Sequence, residues 1–184
     1  LSNEAQKSHP VFISEARDLV INDLGPNLSL TGGLELRGQR LYSTGIKGNL
    51  AAMQLRDEAG KVKFKLGAQS FGVQKVDEIS GKSMSATLYF DQDSIYHPSV
   101  NIKYDPIENS LRVLKGETAV DAVPFYDSYH NFNVQVDEIK WYINQDSLIF
   151  GEAKKGISSD SKSLYFESPG YFSAREFARI QSIS

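Results

Sequence analysis

The sequence contains no cysteine, which excludes disulfide bonds, thiolate nucleophiles and cysteine-based zinc or iron–sulfur sites. It shows no signal peptide and no apolar run of the roughly 18 residues that a membrane-spanning helix requires. The formal net charge of −3 gives no general excess of basic residues. We therefore expect neither a transmembrane helix nor a nucleic-acid partner, since nucleic-acid binding needs concentrated positive charge.

The residues that are present suit a globular domain. The chain has 184 residues, of which 40% are hydrophobic and 23% are charged. That balance is typical of folded proteins rather than of disordered ones. Ten phenylalanines and nine tyrosines supply the aromatic side chains that are common in β-sheets.

Apolar side chains recur at every second position in many short segments. In NLSLTGGLELRG, Leu28 and Leu30 are followed by Leu34 and Leu36, with Gly32-Gly33 as either a hairpin turn or a bulge between the pairs. A period of two residues is typical of strands with one buried and one solvated face. Such strands pair in antiparallel sheets. Six further segments show this period: KVKFKLG, SMSATLYF, SVNIKYD, NFNVQVD, EIKWYIN and KSLYFES.

Turn-forming residues separate these segments. One example is Asp105-Pro106-Ile107-Glu108-Asn109, in which the Asp105 carboxylate can cap the turn. About ten strands at this spacing predict an all-β, mostly antiparallel fold, with a two-sheet sandwich or jelly roll as the first architecture. A short β-solenoid or a folded-over β groove is the alternative. No helical pattern alternates with the strands, which argues against parallel α/β folds.

The two ends of the chain differ from its middle. Residues 1–10 are polar and aperiodic, and we interpret them as an arm or linker before a β domain at 11–172. Residues 173–184 begin like a helix, because Ser173 and Glu176 form a capping box and Phe172 and Phe177 can form a hydrophobic staple. No glycine ends this short C-terminal helix. We therefore expect the helix to be truncated and the chain to be a fragment of a longer protein.

Two segments repeat the same polar residues: DSIYHPSV at 93–100 and YDSYHNFN at 126–133. A Ser/His/Asp hydrolase would need these three side chains in one chain of hydrogen bonds. Ser94 and His97 would face opposite ways in a strand, and no Gly-x-Ser-x-Gly elbow is present. The simpler interpretation is that Asp and Ser cap strand ends, that the tyrosines pack on a sheet face and that Pro98 closes an edge.

The candidate binding residues come from these two segments and from one aromatic pair. Trp141 and Tyr142 are adjacent in a predicted strand, so one ring should lie on the surface, where it could stack on a sugar or form a protein interface. We predict no catalytic residue, no cofactor and no metal site, since the histidines lack metal-binding spacing. The candidates are Asp93, Tyr96, His97, Asp127, Tyr129, His130, Trp141 and Tyr142.

Four stretches in this order carry a resemblance: LGPNLSLTGG (24–33), DSIYHPSV (93–100), PFYDSYH (124–130) and YFES (165–168). They are similar to segments of very large, uncharacterised exported proteins of Gram-negative bacteria that have β-rich regions. The resemblance covers residues 20–180, which is most of the chain. It implies a periplasmic or cell-surface location and a multi-domain parent, and it carries over no catalytic residue.

Three functional hypotheses follow. The first is a non-catalytic structural or interaction module of a larger exported bacterial protein, whose partners are neighbouring domains of the same polypeptide or another envelope protein. The second is a glycan- or lipid-binding β module. The third is a hydrolase or metal-dependent enzyme, which requires His97 or His130 to lie beside an acidic group in a pocket.

Overall fold

A computed structural model describes residues 11–38, 40–46, 49–75, 78–118, 120, 122–145, 148–151 and 165–167. These residues form an all-β, antiparallel structure, as the sequence predicts. The expected arm at 1–10 and the expected helix at 173–184 lie outside the described residues. In the described part of the chain the strands are β1 (Val11–Ile13), β2 (Leu19–Gly25), β3 (Leu28–Arg37), β4 (Arg40–Thr44), β5 (Ala51–Arg56), β6 (Val62–Ala68), β7 (Ser70–Lys75), β8 (Glu78–Phe90), β9 (Asp93–Asp105), β10 (Ser110–Leu114), β11 (Phe125–Asp127), β12 (Phe132–Gln135), β13 (Glu138–Tyr142), β14 (Leu148–Gly151) and β15 (Tyr165–Glu167).

The chain runs back and forth across the sheet, and we call each traverse a pass. Several passes are interrupted and therefore consist of two strands in line. β4 and β5 both pair with the same edge of β3, and β6 and β7 continue along β5 and β4. All the described strands belong to one hydrogen-bonded sheet. The passes, each antiparallel to the next, are β1–β2, β3, β4–β5, β6–β7, β8, β9, β10–β11, β12–β13 and β14–β15.

The interruptions line up across the sheet and form what we call the crease. At β8 and β9 the register shifts twice, between the pairs Gly81–Ile102, Met84–Val100 and Ala86–His97. Such bulges bend a strand and exchange the faces on which its later side chains lie. The crease comprises Gly32-Gly33, Gly45-Ile46, Asn49-Leu50, Gln69, Lys82-Ser83, Pro98-Ser99, Val136-Asp137 and the described residues of the segment 115–124.

The crease divides the sheet into two parts. The first half-sheet contains β2, β5, β6, β11, β12 and β15, with the start of β3, the end of β8 and the start of β9. The second half-sheet contains β1, β4, β7, β10, β13 and β14, with the end of β3, the start of β8 and the end of β9. Gly32-Gly33 is therefore a bend within one strand and not a hairpin turn. Pro98 likewise lies inside β9, which has partners on both sides, so its assignment to an edge is wrong.

Ring contacts show that the sheet is folded double. Phe64 is opposite Leu88 and Tyr104 is opposite Ile79, so in a flat sheet the two aromatic residues would be separated by the length of β8 between Ile79 and Leu88. That length is roughly 30 Å in an extended strand. The ring centroids of Phe64 and Tyr104 are 5.3 Å apart. The two half-sheets therefore face each other like the layers of a jelly roll, and the path matches the folded-over alternative.

The space between the half-sheets holds one hydrophobic core. Phe90 of the first half-sheet packs against Trp141 of the second at 4.8 Å between ring centroids. Because the bulges keep apolar side chains on the inner face on both sides of the crease, the core is continuous. It consists of Leu28, Leu30, Ala51, Met53, Leu55, Phe64, Leu66, Ala68, Phe71, Ile79, Met84, Ala86, Leu88, Ile95, Val100, Ile102, Tyr104, Leu111, Val113, Phe125, Val134, Val136, Ile139, Trp141 and Ile143.

Asparagine and aspartate make several of the hairpin tips. Asn27, Asp91, Asn109 and Asn131 all have positive φ, between 47° and 58°. These residue types tolerate the left-handed conformation that tight turns demand. The Asp105 Oδ1 accepts the Ile107 amide at 2.9 Å, which confirms the predicted turn cap.

Candidate functional site: an exposed aromatic face

The fold brings the two Asp-Ser-Tyr-His segments together. β9 pairs with β11 so that Tyr96 is opposite Tyr126. Just beyond that pair, the Ser128 amide donates to the Ser94 carbonyl at 2.9 Å, and the Ser94 amide donates to the Ser128 hydroxyl at 2.8 Å. The two sequence segments are therefore neighbours in space at one end of the first half-sheet.

The carboxylates and hydroxyls of these segments form hydrogen bonds with backbone amides and with each other. The Ser128 hydroxyl donates to Asp93 Oδ1 at 3.3 Å. Asp127 Oδ1 accepts the Tyr129 amide at 2.9 Å, and its Oδ2 lies 2.8 Å from His130 Nδ1. Ser128 is thus engaged with a carboxylate and a backbone amide, and Asp127 organises the turn that follows it. This geometry is that of an Asx turn in which the second carboxylate oxygen also bonds the imidazole.

His97 has a different role from His130. Its side chain is fully buried, at 0% exposure, and its ring lies 4.6 Å from that of Phe125. Nδ1 accepts the Ser99 amide at 3.1 Å, so Nε2 carries the proton and donates to the Val123 carbonyl at 2.8 Å. The imidazole therefore joins the crease of β9 to the 115–124 segment, as a core histidine with both nitrogens engaged.

Three tyrosines are exposed beside the two segments. Tyr96 and Tyr126 are cross-strand neighbours, and they are 42% and 40% exposed. Tyr129, in the turn, is 71% exposed. The Tyr126 hydroxyl donates to Asn131 Oδ1 at 3.0 Å, which fixes the outer end of that side chain. We call Tyr96, Tyr126 and Tyr129 the aromatic face.

Polar residues continue the row on both sides of the tyrosine pair. Thr87 of β8 is opposite Tyr96, and Asn133 of β12 is opposite Tyr126. Residues directly opposite in antiparallel strands have Cβ atoms about 5 Å apart. Thr87, Tyr96, Tyr126 and Asn133 therefore form one row across four strands, with polar groups flanking two phenol rings.

The adjacent turn extends the aromatic surface. His130 lies edge-on to the Tyr129 ring at 4.7 Å and stacks on Phe132 at 4.9 Å.

The Lys61–Asp91 ion pair, at 2.5 Å, lies at the neighbouring hairpin tips. The Lys61 ammonium lowers the pKa of Asp91 from its usual value.

Trp141 and Tyr142 lie in the second half-sheet, apart from this cluster. Trp141 is 1% exposed and donates from its indole to the Gln145 carbonyl at 3.3 Å. Tyr142 is half-buried, and the Lys140 ammonium lies 4.5 Å from its ring centroid. The structure thus brings together Asp93, Tyr96, Asp127, Tyr129 and His130, whereas His97 is buried in the core and Trp141 and Tyr142 lie elsewhere.

Sequence reasoning did not select Tyr126, Thr87 or Asn133 as site residues. The alternation argument made for Trp141 and Tyr142 also applies to Phe125 and Tyr126, and the structure agrees with it: Phe125 is buried and Tyr126 is exposed. Thr87 and Asn133 carry no comparable signal, because only the strand register places them beside the tyrosines.

The described part of the chain has neither a metal-binding cluster nor a membrane-spanning helix. Those residues include no group of three or more histidines and carboxylates that could hold a metal ion. They also include no helix that is long and apolar enough to cross a membrane.

Comparisons with known proteins give little beyond this geometry. No family model matches the chain, and no curated protein gives a significant match. Among solved structures, LptH, the LptA-homologous periplasmic component of the lipopolysaccharide transport device from Pseudomonas aeruginosa, is similar with a TM-score of 0.34 and 10% sequence identity. The alignment covers 86% of this chain and 94% of that chain. A likeness this distant carries no argument about function.

Proposed function

We propose that this chain is a non-catalytic binding module that holds a glycan on its aromatic face. The observation that carries the proposal is the pair of cross-strand tyrosines, Tyr96 and Tyr126, which expose their rings side by side on a sheet. Phenol rings offer a flat apolar surface with a polar rim, which suits the faces of pyranose rings. They also lose little conformational entropy on binding, because each has only two side-chain torsions.

The surroundings of the pair supply hydrogen-bonding groups. Thr87 and Asn133 flank the two rings in the same row, and Asn131 already bonds the Tyr126 hydroxyl. Hydroxyl and amide groups at the edge of an aromatic platform can orient a ligand that is rich in hydroxyl groups. Tyr129, at the turn, widens the platform on one side.

Hydrolase chemistry has less support. The Ser128 hydroxyl bonds Asp93 and the Ser94 amide, and His97 bonds two backbone groups in the core. His130 does meet a carboxylate, Asp127, but on an exposed turn rather than in a pocket. A nucleophile and its base must share a hydrogen bond, and these side chains are engaged with other partners.

The lipid-binding form of the module has one supporting feature. A cleft of about 680 Å³ opens between the ends of the half-sheets, with Leu55, Tyr104 and Ile143 among its lining residues and Arg56 and Lys63 at its rim. Its lining carries several polar and charged side chains, among them Arg56, Asp57, Glu58 and Lys63, which suit an acyl chain poorly.

An interaction module is the second candidate function, and the β1–β2 edge supports it. Val11, Phe12, Ile13 and Val20 are each more than half exposed on these strands. An apolar edge strand is a template for pairing with another chain. Neighbouring domains of the same polypeptide or another envelope protein would be the partners, at the periplasmic or cell-surface location that the sequence resemblance implies.

The test is binding of immobilised oligosaccharides by the wild-type chain and by Tyr96→Ala and Tyr126→Ala. We expect each substitution to weaken glycan binding about five- to thirtyfold, the usual cost of truncating a central interface aromatic. Tyr142→Ala, in the other half-sheet, is the matched control and should leave binding unchanged. Equal losses in all three variants, or no binding by the folded wild-type chain, would refute the proposal.

A further inference from the structure

The polar row that contains the tyrosine pair continues beyond Thr87 across the outer face of the first half-sheet. Thr87 is opposite Lys65, and Lys65 is opposite Gln54. Phe64 and Leu66, on either side of Lys65 in β6, are buried, whereas Lys65 is exposed. Successive side chains of a strand lie on opposite faces, so the row is on the solvent side. It therefore extends from the tyrosine pair over β8, β6 and β5.

A second row, made of small residues, lies beside the polar row. Thr31 is opposite Ala52. Gly67 is opposite both Ala52 and Ser85. Each of these residues is two positions along its strand from a member of the polar row or its continuation on β3, and so lies on the same face. Because their side chains are short or absent, this row is lower than the polar row next to it.

The small residues line a cleft of about 540 Å³. Ile46 and Leu50, in the crease, supply apolar lining, and their side chains are 40% and 47% exposed. Arg17, Asp18 and Lys65 contribute charges of both signs. Apolar walls with a few polar groups, at this volume, are typical of sites for small organic ligands.

Thr87 connects the cleft to the aromatic face. It lines the cleft and is directly opposite Tyr96. The path from Thr31 on β3 to Tyr126 on β11 crosses β5, β6, β8 and β9. Five spacings of about 4.8 Å give this path a length of roughly 24 Å. A chain of β-linked pyranoses advances by close to one strand spacing per sugar, so the path fits several linked sugars rather than one.

We propose that the glycan is an extended oligosaccharide that runs across the strands, from the tyrosine pair into the cleft. The inference rests on the proposed glycan binding, and it specifies the length and the direction of the ligand. Sugars stack on Tyr96 and Tyr126, and the sugars that follow lie over the row of small residues, which leaves room for their rings. There the Lys65 ammonium and the Thr87 hydroxyl bond the sugar hydroxyl groups.

The test is calorimetric titration of the 184-residue chain with cello-, chito- and hyaluronan oligosaccharides, each as a disaccharide and as a hexasaccharide. We expect a hexasaccharide to bind about tenfold more tightly than its disaccharide, the gain from one or two added hydrogen bonds. Lys65→Ala removes a donor and Ala52→Phe fills the cleft. Each should weaken hexasaccharide binding about fivefold and leave disaccharide binding unchanged. Tyr96→Ala should weaken the binding of both ligands.

Two variants are matched controls and should bind like the wild type. Ala52→Ser keeps the cleft open, and Lys140→Ala removes a lysine from the second half-sheet. Urea denaturation shows which variants are folded, and Lys65→Ala alone decides the matter if Ala52→Phe is not.

Three results would overturn the extended site and leave the tyrosine pair as a glycan site. They are equal affinity for the disaccharide and the hexasaccharide, hexasaccharide binding that Lys65→Ala leaves unchanged, and equal losses of both ligands in Lys65→Ala. If the folded wild-type chain binds none of these sugars, glycan binding itself is refuted, and the extended site with it.

Discussion

The tyrosines in the two parts of β9, one on each side of the crease, differ in exposure to solvent. Tyr96 and Tyr104 are an even number of residues apart, so a regular strand would place both on one face. Tyr96 is 42% exposed, whereas Tyr104 is 3% exposed and packs edge-on against Phe64. The register shift at Pro98-Ser99 lies between them and exchanges the faces. Alternation is thus informative within a half-sheet but not across the crease.

The two Asp-Ser-Tyr-His segments show the same contrast. In the first, the strand continues through the motif, so Tyr96 faces out and His97 faces in. In the second, the strand ends at Asp127, and both Tyr129 and His130 lie in an exposed turn. The two similar segments therefore contain one core histidine and one surface histidine, because the local backbone conformation decides the orientation of each side chain.

The largest expected effect is at His97. Replacing His97 by Ala removes a buried ring and leaves the Val123 carbonyl and the Ser99 amide without their imidazole partner. We expect a loss of about 3 kcal/mol in the free energy of unfolding, from the cavity and the unsatisfied groups together. Urea denaturation at neutral pH measures it. A loss under about 1 kcal/mol would show that His97 does not hold the 115–124 segment to the crease.

The next effect is the titration of the buried Tyr104. Burial, with a smaller contribution from Asp105, raises the pKa of Tyr104 to about 12. An unfolded tyrosine titrates near pH 10, so this stabilising contribution is complete below about pH 10. It is lost as the pH rises through about 12, because the unfolded chain releases its proton first. The loss should be about 2 kcal/mol.

Urea unfolding at a series of pH values from 8 to 12 provides the measurement. Tyr104→Phe should flatten the alkaline decline in stability, because this variant has no phenol to titrate at that position. If the stability of Tyr104→Phe declines as steeply as that of the wild type over this pH range, the contrast drawn from the burial of Tyr104 fails.

The smallest effect is at His130. His130→Ala removes the hydrogen bond with Asp127 and the ring contacts with Tyr129 and Phe132. Contacts of an exposed side chain contribute little, so we expect a change below about 1 kcal/mol in the free energy of unfolding. A cost comparable to that of His97→Ala would remove the distinction between the core and the surface histidine.

The sequence predicted the fold class from local rules. Alternation in SMSATLYF and SVNIKYD identified strands, and the residues it assigned to one face, such as Met84, Leu88, Val100 and Ile102, are in the core. The turn at Asp105 was also predictable, because Asp side chains bond nearby amides. The edge position of Pro98 was wrong, since the sequence does not show that a second strand lies on each side of β9.

The candidate site was only partly predictable. Tyr96 and Tyr129 were named from the repeated segments, and the structure places them on one exposed surface. The row formed by Tyr96 with Tyr126 depends on which residues are opposite each other in neighbouring strands. Register of this kind is a long-range property that single-sequence patterns do not contain.

The sequence by itself determined that this chain forms strands, where several of its hairpins turn and which side chains avoid water within each short segment. These outcomes depend on interactions between residues close together in the chain. Only the tertiary structure decided that the sheet folds double along a crease, so that Phe64 contacts Tyr104 and His97 is buried. The physical reason is that one continuous apolar face must be covered, and here the two half-sheets cover each other.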